Sequence, residues 1–139
     1  MNEVETMLEM LGGPEWAART IAVVGLSDDP AKASHGVSAY MQAQGYRILP
    51  VNPMIKSALG ETSYASLSKL PEKPDVVNVF RLPQYLPAIV DEMIALGLKN
   101  LWVQFGIWND EAAAKAEKAG IRVVMDRCIM VEHRRLMRN

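Results

Sequence analysis

Five short apolar runs, each separated from the next by a helical or irregular stretch, constrain this chain more than any other feature. They are Thr20 to Gly25, Tyr46 to Val51, Asp75 to Phe80, Asn100 to Gln104 and Ile121 to Met125. None shows the regular polar–apolar alternation of a strand with one wet face. Continuous apolarity is the pattern of strands covered on both faces of a parallel sheet. Amphipathic stretches fill most of the gaps. One runs from His35 or Gly36 to Gln44, with Val37, Tyr40 and Met41 on one face and Gly45 as stop. Another runs from Gln84 to Leu96, stopped by Gly97. A third, Ala-rich, runs from Glu111 to Ala119 between a cap at Asn109 or Asp110 and Gly120, and a last one covers Ile129 to Met137. This alternation predicts right-handed βαβ units and an α/β fold: a Rossmann-like, doubly wound, five-stranded parallel sheet of order 3-2-1-4-5. Pro50 stands inside the second run, where it removes a ladder donor. Residues 54–74 read as mostly irregular, with one helical turn near Tyr64 to Leu67.

The chain has 139 residues, which at ~100–200 residues per domain predicts a single domain. Residues 1–16 form an N-terminal helical extension in this reading. Val4, Met7, Leu8 and Leu11 fall at i, i+3, i+4, i+7 before the stop Gly12-Gly13-Pro14, and this stripe is expected to pack on the domain's own core. Half of the residues are hydrophobic, enough for a core without disulfides. Lys and Arg total 15 against 16 Asp and Glu, a formal charge of -1. That balance speaks against a nucleic-acid face and against a polybasic membrane anchor. No apolar run approaches the ~20 residues of a membrane span. The acidic start, Met1-Asn2-Glu3-Val4-Glu5, is unlike a secretory signal, and a lone cysteine, Cys128, fits a reducing compartment. The expected location is the cytoplasm.

In a doubly wound sheet, ligands sit beyond the carboxyl ends of the strands. After the first run comes Gly25-Leu26-Ser27-Asp28-Asp29-Pro30-Ala31-Lys32-Ala33-Ser34. A glycine for close backbone approach, two hydroxyls, a cation and a following helix N-terminus suit a phosphate or pyrophosphate. An ordinary polar loop with Ser34 as N-cap is the competing reading. The loop is neither G-x-G-x-x-G nor a P-loop. The second run ends in Val51-Asn52-Pro53, followed by Lys56, and lacks the acid that holds an NAD ribose. Asn52 suits a ribose or base and Lys56 a phosphate, and the missing acid fits a phosphorylated ribose. A plain turn and a solvated lysine are the alternatives. Arg81 follows the third run where it suits a phosphate or adenine; a surface arginine near a helix start is the alternative, in a place electrostatically poor for a cation. Gln104 is a polar residue ending the fourth run, and Phe105 and Trp108 beside it are either pocket walls or core. After the fifth run, Cys128 stands beside Arg127 near a helix start. A reactive thiol and an inert buried one are both open. His133, five residues on, does not share its helix face, so no Cys–His nucleophile pair is read here. No metal-ligand spacing is present.

Taken together, Ala22-Val23-Val24-Gly25-Leu26-Ser27 with Pro30 and Lys32, then Val51-Asn52-Pro53, Val79-Phe80-Arg81, Leu101-Trp102-Val103-Gln104 and Asp126-Arg127-Cys128-Ile129-Met130-Val131-Glu132-His133, resemble the small single-domain CoA-binding proteins of bacteria. These are Rossmann-like and similar to the nucleotide-binding domain of the succinyl-CoA synthetase alpha subunit. The resemblance spans roughly Ala17 to Leu136. It implies coenzyme A as ligand, with the pyrophosphate on the loop from Gly25 to Ser34 and adenosine near Asn52, Pro53 and Arg81. The pantetheine arm would run towards Gln104 and Cys128. The domain that carries the ligase's phosphorylated histidine is absent, so His35 and His133 do not inherit that role.

The expected function is therefore a CoA or acyl-CoA binding protein without catalysis of its own, whose bound state a protein partner reads, with a homodimer as the other expected association. The alternatives are a thiol carrier or sensor that forms a mixed disulfide between CoA and Cys128, and an NAD(P)-binding oxidoreductase subunit. A further one is a synthetase subunit acting with a separate phosphohistidine chain.

Overall fold

The apolar runs form strands and the amphipathic stretches form helices in a computed structural model that describes residues 1–12 and 19–137. The elements in chain order are α1 (Val4–Leu11), β1 (Thr20–Val24), α2 (Ala33–Ala43), β2 (Arg47–Val51), β3 (Ser57–Ala58) and β4 (Glu61–Thr62). After them come β5 (Val76–Val79), α3 (Leu86–Leu96), β6 (Asn100–Val103), α4 (Asp110–Lys118), β7 (Arg122–Val124) and α5 (Ile129–Leu136). Short 3₁₀ turns stand at Leu67–Lys69 and Pro83–Tyr85. The helical turn expected near Tyr64 lies slightly later, at the first of these. The Gly13-Pro14 stop and the end of the expected N-terminal extension lie outside the described residues.

The five long strands make one parallel sheet in the order β2-β1-β5-β6-β7. This matches the expected 3-2-1-4-5 arrangement once the outermost position is given to Tyr64, which makes a single parallel bridge to Val51. The run Asp75–Phe80 consequently lies beside β1, not beyond β2. Pro50 supplies a physical reason. Gly25 N–H donates to the Val51 carbonyl and Arg47 N–H to the Arg19 carbonyl, so odd residues of β2 face β1 and Pro50 faces outward. A proline there cannot donate to a further strand. Its carbonyl accepts from Tyr64 N–H at 3.0 Å, and Tyr64 returns one bond from Asn52 N–H at 2.8 Å. One bridge forms there in place of a continuous ladder.

Both sheet faces are covered, as the unbroken apolar runs require. On one side Val24, Val77, Val79, Leu101, Val103 and Val123 pack with residues of α3 and α4. On the other Ile21, Val23, Ile48, Trp102 and Val124 pack with residues of α1, α2 and α5. Asn78 is the polar exception inside β5. It is 1% exposed, and its Nδ2 donates to the Trp102 carbonyl at 3.0 Å. α1 packs on the core as expected, but through Met7, Met10 and Leu11, while Val4 is exposed. Each of those buried side chains is worth roughly 1.5–3 kcal/mol of transfer free energy. Just before α1, Asn2 lies along β7: its backbone N–H donates to the Val123 carbonyl, and its side chain exchanges bonds with Met125 N–H and carbonyl at 2.8 Å each.

A candidate site at the carboxyl ends of the strands

The doubly wound topology brings the ends of β1, β2, β5, β6 and β7 to one edge. The β1–α2 loop is tied to itself. Ser27 N–H donates to Ser34 Oγ at 3.0 Å, Asp29 N–H to Ser27 Oγ at 3.0 Å, and Ala31 N–H to Asp29 Oδ1 at 2.9 Å. Ser34 is therefore not the N-cap. α2 begins at Ala33, earlier than expected, with Lys32 in the capping position, because the Ser34 hydroxyl is spent on holding the loop. His35 and Gly36 N–H both donate to the Lys32 carbonyl. The amides of Ala33 and Ser34 open the helix without a protein acceptor among the described residues, which is the usual anion-receptive end. Leu26 is fully buried, so only its backbone faces the loop. Lys32 and Pro30 are exposed.

Gly25 has φ +90, and a Cβ there would lie 2.6 Å from the Phe80 carbonyl oxygen and 3.0 Å from Arg81 Cδ. The close approach this glycine permits is to the end of β5. Asn52 is also occupied: Nδ2 donates to the Leu26 carbonyl at 3.0 Å, and Oδ1 accepts from Met54 N–H at 2.9 Å. It clamps the β2 turn to the β1–α2 loop.

A cleft of about 970 Å³ runs from Ala33 and Val37 of α2 past Phe80 and Arg81 to Gln104 and Cys128. That volume is at the upper end of small-molecule sites. A smaller cavity of about 210 Å³ lies between Pro53, Leu67 and Ile89. Arg81 and Tyr85 line both. The Arg81 guanidinium stacks on the Tyr85 ring at 4.1 Å from its centroid, so this pair forms the wall shared by the two cavities. No carboxylate pairs with Arg81 among the described residues, which leaves its donors for a ligand.

At the far end, Gln104 is 7% exposed and its Oε1 accepts from Ile129 N–H at 3.4 Å. Asp126 adopts φ 59 and accepts from Gly106 N–H at 2.7 Å, tying the β6 and β7 ends together. Cys128 is half-buried, lines the cleft and precedes the first residue of α5. Glu132 is buried, lines the cleft and pairs with Arg135. His133 turns the other way. Its Nδ1 is 2.9 Å from the Tyr40 hydroxyl, its ring meets Tyr40 and Tyr46 edge-on, and burial holds its pKa below 6.5.

Of the residues singled out from sequence, Arg81, Gln104 and Cys128 meet in the large cleft, and Pro53 joins Arg81 in the small one. Gly25, Leu26, Ser27, Ser34 and Asn52 build the frame. Lys56 is exposed and lines neither cavity, its carbonyl accepting from Ser63 N–H. Phe105 lines the cleft, whereas Trp108 bonds Asp110 outside it. Tyr85 and Leu82 were not singled out, and Val131 entered only as part of the resemblance. The i, i+4 spacing of Arg81 and Tyr85 across a turn is the signal that would have found the first.

The sequence model of a family described as CoA binding domain matches residues 19–134. The uncharacterized protein YneT of Bacillus subtilis is 44% identical over 116 residues, covering 84% of this chain and 86% of that protein. A solved structure from Thermus thermophilus superposes with TM-score 0.88 at 41% identity, covering 96% of this chain and 98% of that one. The ADP-forming acetate–CoA ligase I of Archaeoglobus fulgidus is 23% identical over 121 residues, which are 80% of this chain but only 18% of the ligase. No helix among the described residues is long and apolar enough to cross a membrane.

Proposed function

The chain belongs to the CoA-binding domain family, and on that premise we propose that it binds CoA or an acyl-CoA across the carboxyl ends of the strands, as a binding module without catalysis of its own. The observation that carries this reading is the pair of cavities joined at Arg81 and Tyr85. CoA is a long ligand with an adenosine 3′-phosphate at one end, a pyrophosphate in the middle and a thiol-bearing arm at the other. The small cavity beside Pro53 suits the adenosine end, with Arg81 meeting the phosphorylated ribose. The Ala33 and Ser34 amides with Lys32 suit the pyrophosphate. The arm then follows the large cleft, and Gln104 offers it a hydrogen-bonding amide. Gly25, Leu26, Ser27, Ser34 and Asn52 serve by holding the loop, while Pro30 and Lys56 are exposed and Lys56 lines neither cavity.

Calorimetry with CoA, dephospho-CoA and NAD tests the reading. CoA is expected to bind with Kd near or below about 1 μM, or roughly -8 kcal/mol. Loss of the 3′-phosphate is expected to cost about tenfold or more, the worth of a hydrogen bond to a charged group. Equal affinity for CoA and dephospho-CoA would remove Arg81 from its role, and absence of CoA binding would overturn the proposal.

A second reading rests on Cys128 lining the cleft in a half-buried position. In it the Cys128 thiolate attacks one sulfur of CoA disulfide. The S–S bond of that reagent breaks, a Cys128–CoA disulfide forms, and one CoA thiolate leaves. Intact-mass spectrometry after exposure to CoA disulfide should show one CoA adduct that Cys128→Ser abolishes. An unmodified wild-type chain would refute it.

A further inference from the structure

The large cleft changes character along its length. Its α2 end carries the opening turn of the helix and the Arg81 guanidinium. Beyond Gln104 and Cys128, Phe105, Ile107 and Val131 give it an apolar wall, beside Asp126, Arg127 and the Glu132 that pairs with Arg135. Among the described residues, eight large hydrophobic side chains are exposed, and four of them, Leu82, Tyr85, Phe105 and Val131, line this one cleft. Scattered exposed hydrophobics need no account, but a concentration in one concavity marks a binding surface. Phe105 is 73% exposed and Val131 49% exposed, so both carry uncovered apolar area.

The pantetheine arm of free CoA is chemically a poor match for that area. It is a chain of two amides ending in a thiol, and its polar groups suit Gln104 more than a phenyl ring. Whatever continues past the sulfur meets the apolar wall. Phe105 follows directly on Gln104 and Ile107 lies three residues beyond it, and Val131 lies three residues beyond Cys128, on the same side of the first turn of α5. The cleft thus joins a cationic end to a stretch with one apolar wall, the complement of a ligand with an anionic head and an aliphatic tail. Resting on the CoA reading, we infer that the ligand is an aliphatic acyl thioester of CoA, with its acyl chain lying against Phe105, Ile107 and Val131.

The test is calorimetry on the full chain with CoA, acetyl-CoA, butanoyl-CoA and octanoyl-CoA. A fully buried methylene is worth about fourfold in affinity, and one covered on a single side by an open cleft about twofold. Octanoyl-CoA is therefore expected to bind about 60-fold more tightly than acetyl-CoA. Phe105→Ser is the variant of choice because its exposed side chain holds little of the core, and its thermal midpoint reports whether the fold is kept. It should lower the octanoyl-to-acetyl ratio severalfold. A protein that binds CoA with an affinity unchanged from acetyl to octanoyl would overturn the inference and leave the CoA reading standing. A protein that binds none of the four would overturn both.

Discussion

Gly25→Ala separates two roles for one glycine. If Gly25 exists to let a ligand approach the backbone, alanine should impair binding and leave the unliganded fold intact. The structure points to the fold. The residue has φ +90, and the added Cβ would sit 2.6 Å from the Phe80 carbonyl oxygen, with Arg81 Cδ at 3.0 Å. A left-handed conformation costs an L-residue about 1–2 kcal/mol. Forcing a methyl against backbone that must move by several tenths of an ångström adds about 1–3 kcal/mol. The sum is about 3 kcal/mol, which for a domain of this size lowers the midpoint by roughly 10 °C. Thermal unfolding of the ligand-free protein, followed by circular dichroism, measures it. Gly36→Ala is the internal control: Gly36 lies within α2, where an added methyl would meet nothing within 4 Å, and the change should stabilise by up to about 1 kcal/mol. A Gly25→Ala protein that melts with the wild type would refute the argument and return Gly25 to the ligand.

Three other outcomes follow from particular contacts. Asn78→Asp sets a buried carboxylate against the Trp102 carbonyl that Nδ2 now donates to, so it should cost at least ~2 kcal/mol at neutral pH and less in acid, where a protonated carboxyl can donate; urea titrations at two pH values read the difference, and a pH-independent loss would contradict it. Burial lowers the His133 pKa from 6.5, so the unfolded chain binds more protons below that pH. Stability is then full above about 6.5 and falls as pH drops through it. His133→Gln should flatten that slope in urea midpoints between about pH 7.5 and 5.5, and parallel slopes would refute the assignment. Arg81→Ala should weaken CoA by about tenfold to a hundredfold and dephospho-CoA by less, with Arg81→Lys a poor substitute because it loses the planar stack on Tyr85. Equal losses for the two ligands would show that Arg81 does not meet the 3′-phosphate.

The main strands were legible because each buried run is apolar on both faces and ends at a chemically distinct residue. Asn109 was legible as a cap, and the structure shows Ala112 N–H donating to its Oδ1 at 2.8 Å. The β3–β4 hairpin was not. Its strands have two residues each, too short for any periodicity, and its turn places Leu59 at φ 54 ahead of Gly60 at φ 77, where Asn-Gly or Asp-Gly is the usual signal. The start of α2 was misplaced because nothing local shows that the Ser34 hydroxyl is committed to Ser27, seven residues earlier. At the site, the sequence pointed to Arg81, Gln104 and Cys128 through their positions at strand ends. Phe105 stood between wall and core until its exposure decided for the wall. The division into two cavities depends on Arg81 folding back over Tyr85, which follows from the turn at Pro83 and not from residue type.

The two rims of the sheet share a property that bears on the concentrated protein. An open strand edge is a template onto which a second molecule can add a strand. On the β2 side Pro50 offers no donor and Tyr64 already takes its carbonyl. On the β7 side Asn2 takes the Val123 carbonyl and both outward groups of Met125. A residue at the very start of the described chain therefore shields one border of the molecule from self-association. Removing Met1 and Asn2, or replacing Asn2 by proline, should leave ligand binding in place while the protein begins to form fibrillar or amorphous aggregates on storage.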